Sequence, residues 1–278
     1  MSEEETNRPI TKEDLKVMQA VELGSVPRKD LVDTAKGSKG MVYFTGDIHG
    51  DWSPIVDFYN RFQPTAEDII IMLGDVGLNY YGGRTDKQMK IVLNDLDVTI
   101  FCIHGNHEMR PATIPSYVTK EWNGGTVWYE PHYPNILFAK DGEIYEINGI
   151  RYLVIGGAYS VDKYQRLLYG YGWWADEQPS AAIKQYVEEQ IASKSFDVIL
   201  SHTCPYKYIP REMFLPGIAD SMVDNSTERW LDTIEDRVTY RAWFCGHWHT
   251  DKRIDKIHFL FHTFETDDQL HLATERKD

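Results

Sequence analysis

The sequence predicts an α/β fold, read as one domain holding two sheets. Three observations carry that reading. From Met41 onward, apolar runs of strand length alternate with segments whose apolar residues recur at helical spacing, the pattern of parallel strands joined by helices. A later stretch, ILFAKDGEIYEINGIRYLVIGGA, contains Asp141-Gly142 and Asn148-Gly149, both of which read as turns joining antiparallel strands. No internal repeat or low-complexity linker divides the 278 residues.

Each element follows in order. Residues 1–39 read as a helical or partly disordered N-terminal extension to a domain over 40–278. Within it, Thr11 and Asp14 are spaced like a capping box ahead of Leu15, Met18 and Val21, Gly24 ends that helix, and a second short helix spans 27–37. MVYFT is a strand. Ile55, Phe58, Tyr59 and Phe62 line one face of a helix that stops before Pro64. DIIIML is apolar on both faces, as an internal strand must be. Thr85 with Gln88 is read as the cap of a helix facing inward through Met89, Val92, Leu93 and Leu96, and DVTIFCI is the next strand. Residues 159–178 form a Tyr/Trp-rich loop. A helix then carries Ile183, Tyr186, Val187 and Ile191, and DVILS, RAWFC and IHFLFHT are strands, with a helix over 227–238 between the first two.

Composition excludes several functions. With 29 Lys and Arg against 43 Asp and Glu, the net charge is −14, which opposes extended polyanion binding and anionic membrane surfaces. An apolar fraction of 42% with 26% charged residues excludes global disorder. No apolar run is long enough to span a bilayer. The polar, acidic start is unlike a signal peptide, and three cysteines do not make a disulfide framework, so the expected location is the reducing cytoplasm.

Five strands run into short polar motifs: Gly46-Asp47-Ile48-His49-Gly50, Gly74-Asp75-Val76-Gly77, Gly105-Asn106-His107-Glu108, Ser201-His202 and Gly246-His247-Trp248-His249. In α/β sheets, sites form outside the carboxyl ends of the strands. On an extended chain the pairs Asp47/His49 and His247/His249 point one way. Carboxylate and imidazole suit divalent transition metals, and seven donors (Asp47, His49, Asp75, Asn106, His202, His247, His249) are too many for one ion but suffice for two.

In this order the motifs resemble the calcineurin-like metallophosphoesterase superfamily, over about residues 41–265. The resemblance implies a four-layer α/β/β/α sandwich of two mixed β-sheets flanked by helices. It implies two divalent ions (Mn, Fe or Zn), one on Asp47, His49 and His249, the other on Asn106, His202 and His247, with Asp75 between them. It implies in-line attack on phosphorus by a bridging hydroxide, with His107 as general acid, on a phosphomonoester or small diester. The substrate class expected is a small phosphorylated molecule, nucleotide-like or a phosphopeptide. The chain departs from the superfamily's protein Ser/Thr phosphatase branch, which has Asp and Arg where Leu78 and Asn79 stand here. Arg84 and Arg110 are candidate substitutes for the arginine, or else surface residues. In the aromatic loop, Lys163 and Arg166 are candidate phosphate contacts, and Tyr164, Tyr169, Tyr171, Trp173 and Trp174 either stack on a substrate or pack as a satellite core. Cys204 and Cys245, two residues from proposed ligands, read as buried hydrophobes rather than nucleophiles. Two alternatives stand beside the phosphoesterase: a nuclease of the same superfamily, against which the charge argues, and a non-catalytic metal-stabilised binding module.

Overall fold

The computed structural model of the chain describes residues 40–214, 220–268 and 270. The helices expected over 11–24 and 27–37 lie outside them. Two mixed sheets stack face to face. The strands are β1 Val42–Thr45, β2 Ile69–Met72, β3 Thr99–Cys102, β4 Val118–Trp122, β5 Gly125–Tyr129, β6 Ile136–Ala139, β7 Ile144–Ile147, β8 Ile150–Ile155, β9 Val198–Ser201, β10 Ala242–Cys245, β11 Lys252–Ile254, β12 Ile257–Phe259 and β13 Glu265–Thr266. The first sheet runs β13-β1-β2-β3-β6-β5-β4 and the second β11-β12-β10-β9-β8-β7. Strands β1, β2, β3 and β6 are parallel, as are β8, β9, β10 and β12, while the outer strands of each sheet pair antiparallel.

Strand alternation divides the apolar residues into three layers. In β2, Ile69 and Ile71 enter the core between the sheets, where they meet Phe44, Phe101, Val154, Leu200 and Phe244. Ile70 and Met72 face the other way, against helix α1 (Ser53–Phe62) through Ile55 and Phe58. In β10, Phe244 joins the inter-sheet core, while Trp243 and Cys245 pack under helices α4 (Ala181–Ser193) and α5 (Ser226–Glu235) through Val187, Leu231 and Ile234. A run apolar on both faces is therefore required, because each face meets a different dry layer. The chain has the α/β architecture its strand–helix alternation predicts.

Helix α1 ends as expected. Gln63 takes a left-handed conformation, its N–H returns to the Tyr59 carbonyl, and Pro64 cannot continue the helix. Helix α2 (Arg84–Asn94) differs at its start: Gly83, not Thr85, is the capping residue, and no side chain caps it. The preceding turn is fastened instead by Asp86, whose carboxylate accepts from the Tyr81 N–H at 3.0 Å and the Gly82 N–H at 2.7 Å. Asn148-Gly149 makes the expected two-residue hairpin between β7 and β8, with φ of 55° and 78°. Asp141-Gly142 does not make one. It carries the chain from β6 in one sheet to β7 in the other, and the Asp141 carboxylate is buried on Arg110 at 2.6 Å and the Gly156 N–H at 2.7 Å. A further hairpin, β4–β5, turns at Asn123-Gly124, a signal visible in the sequence but not read there. Within the aromatic loop a short helix, α3 (Lys163–Tyr169), forms.

Candidate metal centre

The register brings the five motifs to one level. Thr45, Met72 and Cys102 lie side by side at the ends of β1, β2 and β3, and Cys245 lies beside Ser201 at the ends of β10 and β9. The two sheets meet at this edge. His202 Nδ1 donates to the Leu73 carbonyl at 2.7 Å, and the Gly246 N–H donates to the His202 carbonyl at 3.0 Å. Asp47 is held by the His247 N–H at 2.8 Å and Asp75 by the His107 N–H at 2.8 Å, so each carboxylate is gripped by the loop of another strand. Glycine is required where those carboxylates sit against backbone. A Cβ on Gly105 would lie 2.0 Å from Asp75 Oδ1, and one on Gly246 would lie 2.2 Å from Asp47 Oδ1. Four of the expected ligands occupy the left-handed backbone region, His49 and His249 at φ 46°, Asp75 at 50° and His247 at 66°. Non-glycine residues persist there only when surroundings over-determine them, which is common at functional sites.

Donor atoms converge. Asp47, His49 and His249 offer one ligand atom each within 4.8 Å of one another, as do His49, Asp75 and His107, and Asp47, Asp75 and His202. His49 Nε2 and His249 Nε2 are 2.9 Å apart, and Asp47 Oδ2 lies 3.5 Å from His249 Nε2 and 3.9 Å from His49 Nε2. That oxygen is buried without a hydrogen-bond partner among the described residues. Phe261 stacks on His249 at 4.6 Å and fixes its ring. His247 lies in none of the three groups and joins the cluster through its ring, 5.1 Å from that of His202.

A second pair of lone pairs converges at Asn106. Its Nδ2 donates to Ser160 Oγ at 2.9 Å, and Ser160 in turn bonds the Glu177 carboxylate, which can only accept from it. Asn106 Oδ1 therefore points at His202 Nε2, 2.8 Å away. Because His202 Nδ1 already donates to Leu73, a neutral ring presents a lone pair to another lone pair. Such a point calls for a cation, whether a proton or a metal. The donor set and the orphaned Asp47 oxygen both fit divalent metal.

The local field is consistent with this chemistry. Burial opposes charge on Asp47 and Asp75, yet the imidazoles, His202 foremost, hold both below the ordinary carboxylate range, Asp75 well below it. Burial likewise opposes the His202 cation, and Asp75 and Asp47 outweigh it, lifting that ring to about 9. Burial and the neighbouring His202 depress His247 to about 3. Glu108 is pushed up to about 8 by burial and by Asp75. Its Oε1 accepts from the Gly105 N–H at 2.9 Å, so it ties the loop rather than joining the donor cluster.

The expected substrate contacts separate. Arg166, on α3, reaches the centre: its Nη2 donates to His107 Nδ1 at 2.6 Å. Arg110 is engaged elsewhere, on Asp141 and on the Asp176 carbonyl at 2.8 Å. Arg84 is exposed at the start of α2 and makes no hydrogen bond or ion pair with a site residue. Lys163 lies over the Trp173 ring at 4.3 Å. Leu78 and Asn79 turn inward: Leu78 is in the core, and Asn79 accepts from Lys90 and Tyr117. The aromatics do not form a satellite core, since Tyr164, Tyr169 and Tyr171 are exposed, whereas Trp173 and Trp174 are half-buried. Cys204 and Cys245 are buried, and burial raises both thiols well above their ordinary range, which makes them inert. Ser160 and Asp162 also reach the centre without having been singled out in the sequence. The four-residue spacing of Asp162, just ahead of α3, and Arg166 within it was the available signal.

A profile of the family described as calcineurin-like phosphoesterase matches residues 40–251. Among solved structures, the chain is similar to a phosphopantetheinyl hydrolase from Mycobacterium tuberculosis, with 13% identity, a TM-score of 0.47, and coverage of 87% of this chain and 94% of that one. It is also similar to a Thermus thermophilus protein (11% identity, TM-score 0.46, 82% and 98% covered) and to a protein of unknown function from Aquifex aeolicus (12%, 0.40, 84% and 98%). No curated protein matches the sequence.

Proposed function

This chain belongs to the calcineurin-like phosphoesterase family, and from that premise we propose that it is a binuclear metal-dependent phosphoesterase acting on phosphomonoesters or small phosphodiesters. The observation that carries the proposal is the convergence of unshared lone pairs beside a histidine. Asp47, His49 and His249 would hold one divalent ion, Asn106, His202 and His247 the other, and Asp75 would serve both. Bound divalent ions supply Lewis acidity and lower the pKa of water, so that a nucleophile exists near neutral pH.

The chain's own groups supply the rest. The parallel strand ends and the left-handed turns fix the donors. Ser160 and Glu177 lock the Asn106 amide, so its oxygen stays toward His202. His107 is the group that protonates the leaving oxygen. Burial, with Arg166 and His49, outweighs Asp75 and Asp162, the latter 3.7 Å from Nε2, so its pKa lies below the ordinary imidazole value and its proton is released more readily. Arg166 is the phosphate contact, because it alone of the four candidate cations touches a central residue. Substrate is expected to be a small phosphorylated molecule. Among the described residues no helix is long and apolar enough to cross a membrane.

Mn-loaded protein should hydrolyse p-nitrophenyl phosphate or its bis ester, and failure on both overturns the enzymatic reading. His107→Asn should keep the metal and lose about a hundredfold or more in turnover on esters with poor leaving groups. Equal turnover on such esters removes His107 as the acid.

A further inference from the structure

Helix α3 has no buried residue, and its outer face exposes Tyr164, Leu167, Leu168 and Tyr169. Apolar burial therefore does not seat it. Its attachment to the centre is polar and concentrated on Arg166, whose side chain is only 12% exposed. A guanidinium has five N–H groups. Nε donates to Asp162 Oδ2 at 2.7 Å, Nη1 to the Gly172 carbonyl at 3.1 Å and to Tyr80 Oη at 3.3 Å, and Nη2 to His107 Nδ1 at 2.6 Å. Among the described residues one N–H is left without a partner, and it is on Nη2, the nitrogen that contacts His107 beside the donor cluster. The second oxygen of Asp162 is buried, has no hydrogen-bond partner among the described residues and lies 3.7 Å from His107 Nε2.

We propose that Asp162 is a positioning residue. It holds the Arg166 fork in the one orientation that leaves an N–H aimed at the substrate's phosphate beside His107. Asp162 touches neither the phosphate nor the expected metal ligands. It works through Arg166, and it keeps the guanidinium from turning toward the exposed face of α3. This inference rests on the phosphoesterase reading of the centre, and it adds how the phosphate is oriented there.

The test uses full-length Mn-loaded protein and inorganic phosphate as the probe, with affinity measured by titration calorimetry and bound metal by elemental analysis. Arg166→Ala and Asp162→Asn should each weaken phosphate binding by about tenfold or more, as expected for loss of a charge-assisted fork. Bound metal should not change. Asp162→Asn made in the Arg166→Ala background should weaken it no further, and Asp162→Glu should recover part of the loss. With p-nitrophenyl phosphate the Asp162→Asn loss should fall mainly on KM rather than kcat. Unchanged phosphate affinity in Asp162→Asn overturns the proposal, as does an additive loss in the double variant, a drop in bound metal, or a parent protein that binds no phosphate. The two readings fail separately. A parent that binds phosphate in an Asp162-dependent way yet hydrolyses no ester overturns only the enzyme. A parent that hydrolyses esters while Asp162→Asn binds phosphate normally overturns only the positioning.

Discussion

Gly105→Ala tests the centre at its tightest point. Gly105 lies between β3 and Asn106 and is not among the left-handed glycines, so alanine meets no left-handed strain there and the question is one of space. The added Cβ would stand 2.0 Å from Asp75 Oδ1 and 2.2 Å from the Asp75 backbone nitrogen, where ordinary contact begins at 3.4 Å. The deficit is about 1.4 Å, and one of the two obstructing atoms is backbone, so Asp75 cannot clear the clash by a rotamer change. Either Asp75 or the Asn106–His107 loop must move by about 1 Å. Ligand distances tolerate only about 0.2 Å, and a misplacement of about 1 Å at a reacting centre costs about a hundredfold. Global stability should fall by only about 1–3 kcal/mol, the usual cost of overpacking. The expected result is a folded protein with reduced bound Mn and at least about a hundredfold lower kcat/KM on p-nitrophenyl phosphate. Gly83→Ala is the control, since its Cβ would find nothing nearer than the Tyr81 carbonyl at 3.9 Å. A Gly105→Ala protein with the parent's metal content and kcat/KM within about threefold would refute the steric reasoning.

Two further outcomes follow from buried charge. Lys90 is buried and donates to Glu130 at 2.6 Å and to Asn79 at 2.8 Å, so Lys90→Met should leave Glu130 unpaired and cost about 3–5 kcal/mol. Urea denaturation measures this, and adding Glu130→Leu should restore most of the loss; a single variant as stable as the parent contradicts the argument. Burial lifts Glu228 from 4.5 to about 7. The folded-state value exceeds the unfolded one, so its contribution is fully present below about pH 4.5 and is lost as pH rises through about 7, to a limit of about 3 kcal/mol. Glu228→Gln should therefore flatten the fall in Tm between pH 5.5 and pH 8, and an unchanged slope excludes Glu228 as the cause.

Much of this site was legible in the chain because its signals are local. Asp47 with His49, and His247 with His249, were marked by close spacing at strand ends, and the glycine in four of the five motifs marked a tight approach, although His49, His247 and His249 are left-handed rather than extended. The internal strands were legible because DIIIML and RAWFC are apolar on both faces, which only a strand covered on both sides tolerates. The parts that were not legible depend on partners distant in sequence. Asp141-Gly142 has hairpin chemistry but bridges two sheets, because Asp141 is claimed by Arg110. The same ion pair, with the Asp176 carbonyl, engages Arg110 away from the donor cluster. Leu78 and Asn79 turn into the core, toward Lys90 and Tyr117. The left-handed backbone at His49, Asp75, His247 and His249 has no signal in side chains that ordinarily avoid it.

Sequence by itself determined which side chains stand at the strand ends, since hydrophobic period and turn chemistry act over a few residues. Only the tertiary structure decided which of those side chains share one point and which cation reaches it. His107 and Arg166 are 59 residues apart, and His49 and His249 are 200 apart. Their meeting is set by the packing of one sheet on the other and by the seating of α3, interactions whose energies depend on distance in space and not along the chain.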